Sequence, residues 1–319
     1  MCCWIRREIK DCAGFLNKCN DVIFLGNKIC PTVNLVYFGG DVQDYEQTMR
    51  KNNFSSQYIK WSLENTAQIL YERFTNQFNC SNPHIWIIRP SHWIADGSIA
   101  CYPNFLPFTK PGIPLFESDE ICKFRAIRHL NALLLNAVKQ LADGECCDGN
   151  CQLSNIPIRL IGFSKGCCVL TELIYEYSLL LCSTKEKSGN FITTTVIGET
   201  DELCKNLSHV YWLDSGHSGI HHQWPVLNDY LSLLKSSTCP TLHIHATPYQ
   251  ILNRSRPQKS ADFQKFVNIL SECNLPFTKK LHFMPDTYKN GGSLVDDLEK
   301  YQEDCSLQKH FEILNHFDF

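Results

Sequence analysis

The sequence predicts an α/β fold, in which a mostly parallel central sheet carries helices on both faces. Short apolar strand patterns alternate with longer helical patterns along the chain, as in proteins with parallel sheets. A strand-turn-helix sequence with a Gly-x-Ser-x-Gly motif lies at residues 162–166. Glycine-rich, acidic and histidine-containing segments follow other predicted strands. Because parallel strands place their carboxyl ends at one edge of a sheet, we expect these groups to meet there.

The size and charge of the chain limit its possible functions. Its 319 residues, 44% of them hydrophobic, can bury one large core or two modest ones. We favour one domain over 31–319, preceded by an N-terminal segment, 1–30, of uncertain structure. A formal charge of -3 and a pI near 6.4 give no basic field, so we expect no nucleic-acid partner. No apolar run reaches bilayer length without charges, so we expect no transmembrane segment.

The chain contains 18 cysteines. Its N-terminus lacks the apolar core of a signal peptide, so we interpret most of them as reduced thiols. The densest group, Cys146, Cys147 and Cys151, has no matching pair at zinc-ribbon spacing. We therefore expect no metal site in this loop.

Hydrophobic periodicity places the strands and helices in chain order. Runs rich in β-branched and aromatic residues indicate strands, and apolar residues at three-to-four spacing indicate helices. Serine at the start of a helical pattern supplies an N-cap. The predicted strands are 22–25, 33–38, 84–88, 158–161, 210–213, 241–245 and 281–284, and the predicted helices are 55–78, 118–144, 168–182, 225–234, one capped by Ser260 and one that begins at Ser306.

Three connecting segments have compositions that suggest specific roles. The segment 89–116 is rich in proline and aromatic residues and is a candidate substrate wall or lid, or an ordered loop that covers a hydrophobic edge. The polar stretch 183–208 is too hydrophilic for the core, so we predict a surface insertion. The connection 286–304 is a second candidate lid.

The Gly-x-Ser-x-Gly motif consists of Gly162, Ser164 and Gly166. In a nucleophile elbow the serine occupies a sharp turn between strand and helix, where flanking glycines avoid clashes. The helix that follows would direct the amide of Lys165 toward an oxyanion. This pattern predicts the α/β-hydrolase fold with Ser164 as nucleophile. The alternative is a strand-to-helix turn that needs small residues.

A second oxyanion donor is predicted in the loop after strand 33–38. Gly39 and Gly40 lack side chains, so their backbone can approach a substrate carbonyl and present an amide. The alternative is a plain turn. Gly39 and Asp41, which lie on either side of Gly40, are predicted to contact substrate.

A serine hydrolase also needs a base and an acid. The fold places the histidine beyond the last strand, which selects His310, with His316 as fallback. His217 is a rival, and its alternative role is to orient substrate. The usual acid position, after the next-to-last strand, has no carboxylate, so the acid becomes Asp214, one strand earlier. Tyr249 is predicted to contact substrate.

A few other histidines have competing interpretations. His217, His221 and His222 resemble a metal cluster, but no matching carboxylates accompany them. His243 and His245 alternate on one strand face, and we expect them to be packed or hydrogen-bonded.

The motifs together resemble a eukaryotic family of mitochondrial α/β-hydrolase-like proteins, encoded in humans by an open reading frame on chromosome 2. The resemblance covers about residues 33–319 and implies a serine-lipase-like or esterase-like fold and a mitochondrial role linked to energy metabolism. In that family the position of Gly39 is commonly proline, so the resemblance favours Gly40 as the second oxyanion donor. The start of this chain makes a poor transit peptide, so the cytoplasm is the alternative location. The motifs are Tyr-Phe-Gly-Gly-Asp-Val-Gln-Asp-Tyr at 37–45, Trp-Ser-Leu-Glu-Asn at 61–65, Ile-Gly-Phe-Ser-Lys-Gly-Cys at 161–167, Trp-Leu-Asp-Ser-Gly-His-Ser-Gly at 212–219, Thr-Pro-Tyr-Gln at 247–250 and His-Phe at 310–311.

These observations predict a hydrolase that cleaves an ester, thioester or amide through an acyl-enzyme intermediate. Ser164, His310 and Asp214 would form the triad, without a metal or organic cofactor. An aromatic wall favours a small acyl or lipid-like substrate. The alternative is a catalytically silent fold that binds a mitochondrial protein partner, because fold alone does not determine function.

Overall fold

A computed structural model describes residues 4–79, 81–143, 153–183, 191–234, 239–253, 256–284 and 305–319. It confirms the predicted α/β-hydrolase fold, with a large, mostly parallel sheet and helices on both faces. The strands are β1 (Ile5–Ala13), β2 (Cys19–Gly26), β3 (Val33–Phe38), β4 (Pro83–Ile88), β5 (His92–Ile94), β6 (Ile99–Cys101), β7 (Ile158–Phe163), β8 (Leu207–Leu213), β9 (Thr241–Ala246) and β10 (Phe277–Leu281).

The helices lie between these strands and at the C-terminus. In the described part of the chain, none combines the length and apolar composition needed to cross a membrane. The helices are α1 (Glu46–Arg50), α2 (Leu63–Gln77), α3 (Ser118–Ile121), α4 (Arg125–Asp143), α5 (Cys167–Ser183), α6 (Phe191–Asn206), α7 (Asn228–Leu231), α8 (Pro248–Ile251), α9 (Pro257–Glu272) and α10 (Leu307–Glu312).

The main sheet has eight strands in the order β1-β2-β4-β3-β7-β8-β9-β10. Strand β2 runs antiparallel to β1 and β4, and the other neighbouring pairs are parallel. β1 and β2 come from the N-terminal segment, for which the sequence indicated only a strand at 22–25. β3, β4 and β7 occupy the centre, so the loops after β3 and β7 are neighbours.

The core lies on both faces of the sheet. Central strands β3 and β4 are buried along their whole length, which explains their continuous apolar sequences. On one face α4 and α5 pack against the sheet through residues such as Leu134 and Leu170. On the other face α2 and the C-terminal residues form a second cluster that includes Trp61 and Phe311. The C-terminus is thereby held near the loops that follow β3 and β7.

Two predicted helices are interrupted. The helix predicted over 55–78 is a 3-10 turn, Ser55–Trp61, followed by α2, whose first turn is capped when the Ser62 hydroxyl accepts from the amide of Asn65. The helix predicted from Ser118 breaks at Phe124, which has a φ of 53° and separates α3 from α4. Glu117, and not Ser118, is the N-cap residue of α3. Periodicity alone did not reveal these breaks because the apolar spacing continues across both.

Two other segments differ from their predictions for reasons of burial. Much of the polar stretch 183–208 is helix α6, which packs against α4 and α5 and buries Val196 and Leu203. A helix with one buried face can be polar over the rest of its surface. The last strand is Phe277–Leu281 and not 281–284. As an edge strand, β10 exposes its central residues, so it lacks the apolar run of a buried strand.

A buried histidine links the N-terminal strands to α4. His129 Nδ1 accepts from the amide of Phe15 at 3.1 Å, and Nε2 lies 2.8 Å from Asn20 Oδ1. These partners require a neutral ring that carries its proton on Nε2. Burial lowers the pKa of His129 to about 4. The folded protein therefore resists protonation of this side chain.

We expect the protein to lose stability in mild acid, with part of the loss due to His129. Its pKa falls from an ordinary value near 6.5 to about 4 on folding, so its contribution is complete above pH 6.5. It is lost as the pH falls from 6.5 through about 4. The slope is at most about 1.4 kcal/mol per pH unit. Urea unfolding at several pH values should give a shallower acid slope for His129→Gln, and an unchanged slope would contradict this assignment.

Two glycines allow β7 to turn into α5 beneath the end of β3. A Cβ on Gly166 would lie 2.1 Å from the carbonyl oxygen of Phe38, and one on Gly162 would lie 2.9 Å from the Cα of Cys167. The first contact involves backbone on both sides, so no side-chain rotation can relieve it. The glycines are thus required by close packing of the elbow against β3.

We expect Gly166→Ala to destabilise the protein by about 3 kcal/mol, because the added methyl group overlaps a buried carbonyl. Gly198→Ala is the matched control. Gly198 is exposed on α6 with open space around its Cα, so alanine should stabilise by about 0.5–1 kcal/mol. Urea midpoints of both variants test this difference, and equal midpoints would contradict the packing argument.

Candidate active site

Ser164 lies at the turn between β7 and α5. Its φ of 51° is in the left-handed region, which is unfavourable for a residue other than glycine. The side chain is 8% exposed, and a Cβ on Gly40 would lie 2.6 Å from the Cβ of Ser164. The strain and the close approach of the β3 loop match a nucleophile elbow.

A buried carboxylate and imidazole form a pair at the same sheet edge. Asp214, directly after β8, places Oδ2 2.5 Å from Nδ1 of His310 on α10. Both side chains are almost fully buried, at 0% and 2% exposed. With Nδ1 held by the carboxylate, Nε2 of His310 is the nitrogen left for proton transfer. The structure brings together the predicted acid and base across 96 residues of sequence.

The loop after β9 holds the carboxylate. Thr247 donates its amide to Asp214 Oδ1 at 2.7 Å and its hydroxyl to Oδ2 at 2.5 Å. Gln250 donates to the main-chain oxygen of Asp214, while the Asp214 amide donates to His245 O. The sequence analysis missed Thr247 and Gln250. Their position could have identified them, because they lie in the loop where this fold usually has a carboxylate.

Two aromatic rings flank His310. Its ring centroid lies 4.5 Å from that of Phe163 and 4.6 Å from that of Tyr249, both at about 30° to the imidazole plane. Phe163 immediately precedes Ser164, so this contact brings the imidazole to the elbow. Tyr249 was predicted to contact substrate, and in the structure its ring contacts that of His310. These rings fix the orientation of His310.

The loop after β3 is held by Gln43. Its Oε1 accepts from the amide of Gly40 at 3.0 Å and from the Tyr37 hydroxyl at 2.7 Å. Its Nε2 donates to Trp61 O and Thr66 Oγ1. The amide of Gly40, the predicted second oxyanion donor, therefore already has an acceptor. Gln43 was another residue that the sequence analysis missed.

Gly39 and Asp41 connect this loop to the segment 89–116. The Tyr102 hydroxyl donates to Gly39 O at 2.9 Å, and the amide of Ala100 donates to Asp41 Oδ1 at 2.8 Å. Ala100 belongs to β6, which pairs with β5 in a small hairpin. Part of the predicted wall or lid thus lies directly against the loop beside Ser164.

Charged groups surround the elbow. The Lys165 ammonium is fully buried, donates to Gly112 O at 2.5 Å and lies over the Phe108 ring. Burial raises the pKa of Asp41, and the charge of Lys165 and the hydrogen bond from the Ala100 amide oppose that rise. The site therefore contains buried charges of both signs within mutual electrostatic reach.

His217 does not act as the rival base in this arrangement. Its Nδ1 accepts from the amide of Gly219 at 3.0 Å, and its Nε2 lies 3.1 Å from His222 O. Burial lowers the pKa of His217 to about 4. Both ring nitrogens serve to order the loop after Asp214, so neither is available for proton transfer.

His316, His243 and His245 differ from His310 in their burial or in their hydrogen-bond partners. His316 is exposed beside Phe283, whereas His310 is buried at the elbow. His243 bonds His209 and Thr278, as expected for a hydrogen-bonded strand residue. His245 pairs with His282 at 2.9 Å.

Two further features are the possible metal ligands and the cysteines of the described residues. Among the described residues, no group of three or more His, Cys, Asp or Glu side chains could hold a metal ion. The cysteines that the structure describes are free thiols. Cys146, Cys147 and Cys151 lie outside the described residues, as does the candidate lid 286–304.

Solved structures similar to this chain include esterases. The carboxylesterase Cest-2923 from Lactobacillus plantarum superposes with a TM-score of 0.44 at 10% identity, covering 97% of each chain. Brefeldin A esterase, described as a bacterial homologue of human hormone sensitive lipase, superposes with a TM-score of 0.38 at 10% identity, covering 98% of this chain and 75% of that one. At these identities no activity transfers to this chain.

Sequence comparison identifies the family. The C2orf69 family profile matches residues 8–156 and 145–276. Mitochondrial protein C2orf69 homolog of Mus musculus is 30% identical over 296 residues, covering 80% of this chain and 74% of the relative. Mitochondrial protein C2orf69 of Homo sapiens is also 30% identical over 296 residues, covering 79% and 70%. The chain belongs to the C2orf69 family.

Proposed function

We propose that this protein is a serine hydrolase that cleaves an ester, thioester or amide through an acyl-enzyme intermediate. Ser164 is the nucleophile, His310 the general base and acid, and Asp214 the residue that orients His310. The observation that carries the proposal is the buried hydrogen bond of 2.5 Å between Asp214 and His310. A buried carboxylate on Nδ1 fixes the imidazole tautomer that can take a proton from serine.

In the proposed reaction, Ser164 Oγ forms a bond to the carbonyl carbon while its proton moves to His310 Nε2. The tetrahedral intermediate then expels the leaving alcohol, thiol or amine, which takes that proton. Water attacks the acyl-enzyme in the same way and releases the acid. Asp214 stabilises the imidazolium that forms in each half-reaction.

The oxyanion donors are proposed from the two loops beside Ser164. The Lys165 amide lies in the 3-10 turn Ser164–Gly166 that leads into α5, and the first amides at such a helix start lack intrahelical acceptors. The Gly40 amide donates to Gln43. We therefore assign the second donor to the amide of Asp41, which has no acceptor among the described residues. Gln43 positions the loop that carries it.

A fluorophosphonate probe should label the wild-type protein once, at Ser164. Intact mass spectrometry should find no adduct in Ser164→Ala or His310→Ala, because the first lacks the nucleophile and the second lacks the base. His217→Asn is the matched histidine control. It should keep its adduct, since both ring nitrogens of His217 bond within their own loop.

The labelling result decides between two functions. Absence of an adduct under conditions that label a control esterase would contradict the hydrolase proposal and favour a silent binding fold. An adduct that persists in Ser164→Ala would place the reactive group elsewhere. Loss of the adduct in His217→Asn with retention in His310→Ala would reverse the choice of base.

We expect Asp214→Asn to slow labelling by about 10³–10⁴-fold, because an amide cannot hold the required imidazole tautomer or stabilise its charge. The control is Asp229→Asn, which changes an exposed residue in the first turn of α7. Its labelling rate should stay within about twofold of wild type. Equal rates for the two variants would exclude Asp214 as the acid, provided that circular dichroism confirms both are folded.

The relatives suggest where the activity takes place. Both the mouse and the human protein are named mitochondrial. We propose that this chain also acts in mitochondria, in a role linked to energy metabolism. Fractionation of cells that express the full natural protein tests the location, and recovery in the cytosol alone would contradict it.

A further inference from the structure

Lys259, in the first turn of α9, is a buried cation without a counter-ion. Lys259 is 2% exposed. Within the described ranges, Nζ makes neither a hydrogen bond nor an ion pair, and it lies 5.3 Å from the centroid of the Tyr249 ring. Burying an unpaired ammonium is costly. A buried, unpaired lysine at this position therefore needs a physical explanation.

Lys259 faces the proposed catalytic residues. Tyr249, over which Nζ lies, stacks on His310 with ring centroids 4.6 Å apart. The negative charges of Asp214 and Asp41 both favour the protonated form of Lys259, which requires proximity. The lysine thus adjoins the same site as the elbow.

The carboxylates of the site are already engaged elsewhere. Asp214 holds His310 and accepts two hydrogen bonds from Thr247. Asp41 accepts from Ala100, and the largest charge effect on it comes from Lys165. This leaves Lys259 without a dedicated anion among the described residues. Burial accordingly lowers the pKa of Lys259 to about 8.

The start of α9 adds to the positive potential. Its N-cap residue, Arg256, makes no side-chain capping bond, and the first turn contains no acidic residue. Arg256 is exposed, and its charge also lowers the pKa of Lys259. Among the described residues, no side chain caps the N-terminus of this 16-residue helix, which attracts anions through its amides and its dipole. The buried lysine and the helix end therefore attract the same kind of ligand.

We propose that Lys259 and the N-terminus of α9 bind an anionic group, a carboxylate or a phosphate, on the acyl substrate of this protein. The substrate class is then an acyl ester or thioester that carries a negative charge away from the scissile bond. This inference rests on the proposed hydrolase function for its substrate, but anion binding can be measured without catalysis.

The kinetic test uses two matched esters, the 4-nitrophenyl monoester of adipic acid and its methyl ester, which differ in one negative charge. Wild type should favour the anionic ester in kcat/KM by about tenfold or more, the value of one charge-assisted contact. Lys259→Met should lose that preference, so that the ratio of the two kcat/KM values falls to about one. Lys265→Met, an exposed lysine on the same helix, should behave as wild type. No preference in wild type, or one that survives Lys259→Met, would overturn the proposal.

The binding test separates this proposal from the hydrolase proposal. Calorimetry of Ser164→Ala should detect adipate or inorganic phosphate, and the stronger of the two indicates which anion the site prefers. Binding should fall about tenfold or more in Ser164→Ala/Lys259→Met. If fluorophosphonate labelling fails but this binding is found, only the hydrolase proposal is lost. If labelling succeeds but neither anion binds and no ester preference exists, only the Lys259 proposal is lost.

Thermal stability distinguishes a ligand role from a structural one. If Lys259 serves a ligand, Lys259→Met should unfold at the same temperature as wild type or higher, because it removes an unpaired buried charge. A variant that unfolds at a clearly lower temperature would mean that the lysine supports the fold, and would overturn the proposal.

Discussion

The hydrogen bond between Asp214 and His310 is the contact that the rest of the site depends on. It joins the end of β8 to the C-terminal helix α10, across 96 residues of sequence. Both groups are buried, so the pair is stable only while its remaining polar atoms are satisfied. Thr247 provides two donors to the carboxylate, and the rings of Phe163 and Tyr249 hold the imidazole. The fold therefore fixes a polar pair that would be costly if it were incomplete.

The position of Asp214 follows from the geometry of a parallel sheet. Loops after neighbouring strands lie side by side, so a carboxylate can come from the loop after β8 if the loop after β9 supplies its partners. Here the loop after β8 supplies the carboxylate, and the loop after β9 supplies its hydrogen-bond donors. Asp214 supplies the negative charge, and Thr247 supplies an amide and a hydroxyl to hold it. In the same way, Gln43 holds the loop after β3, because it accepts a hydrogen bond from the backbone beside Ser164.

The electrostatics of the site distinguish bonded charges from unbonded ones. Asp214 and Asp41 have donors, and Lys165 has a carbonyl acceptor. Among the described residues, Lys259 has a cation–π contact with Tyr249 but no hydrogen bond or ion pair. Because buried charges in proteins are normally paired, an unpaired one beside a nucleophile elbow points to a ligand that supplies the missing charge. The catalytic proposal and the anion proposal thus rest on different observations and can fail separately.

The sequence alone determined the features that depend on local pattern. Periodicity located the central strands, Gly-x-Ser-x-Gly located the elbow, and chain order selected Asp214 and His310. Tertiary structure decided what depends on distant partners: the engagement of the Gly40 amide by Gln43, the bonds that make His217 a loop residue, and the burial of Lys259. Edge strand β10 was misplaced because exposed strands need no apolar run. Local sequence encodes turns and periodicity, whereas hydrogen-bond partners and burial are defined only once remote segments pack together.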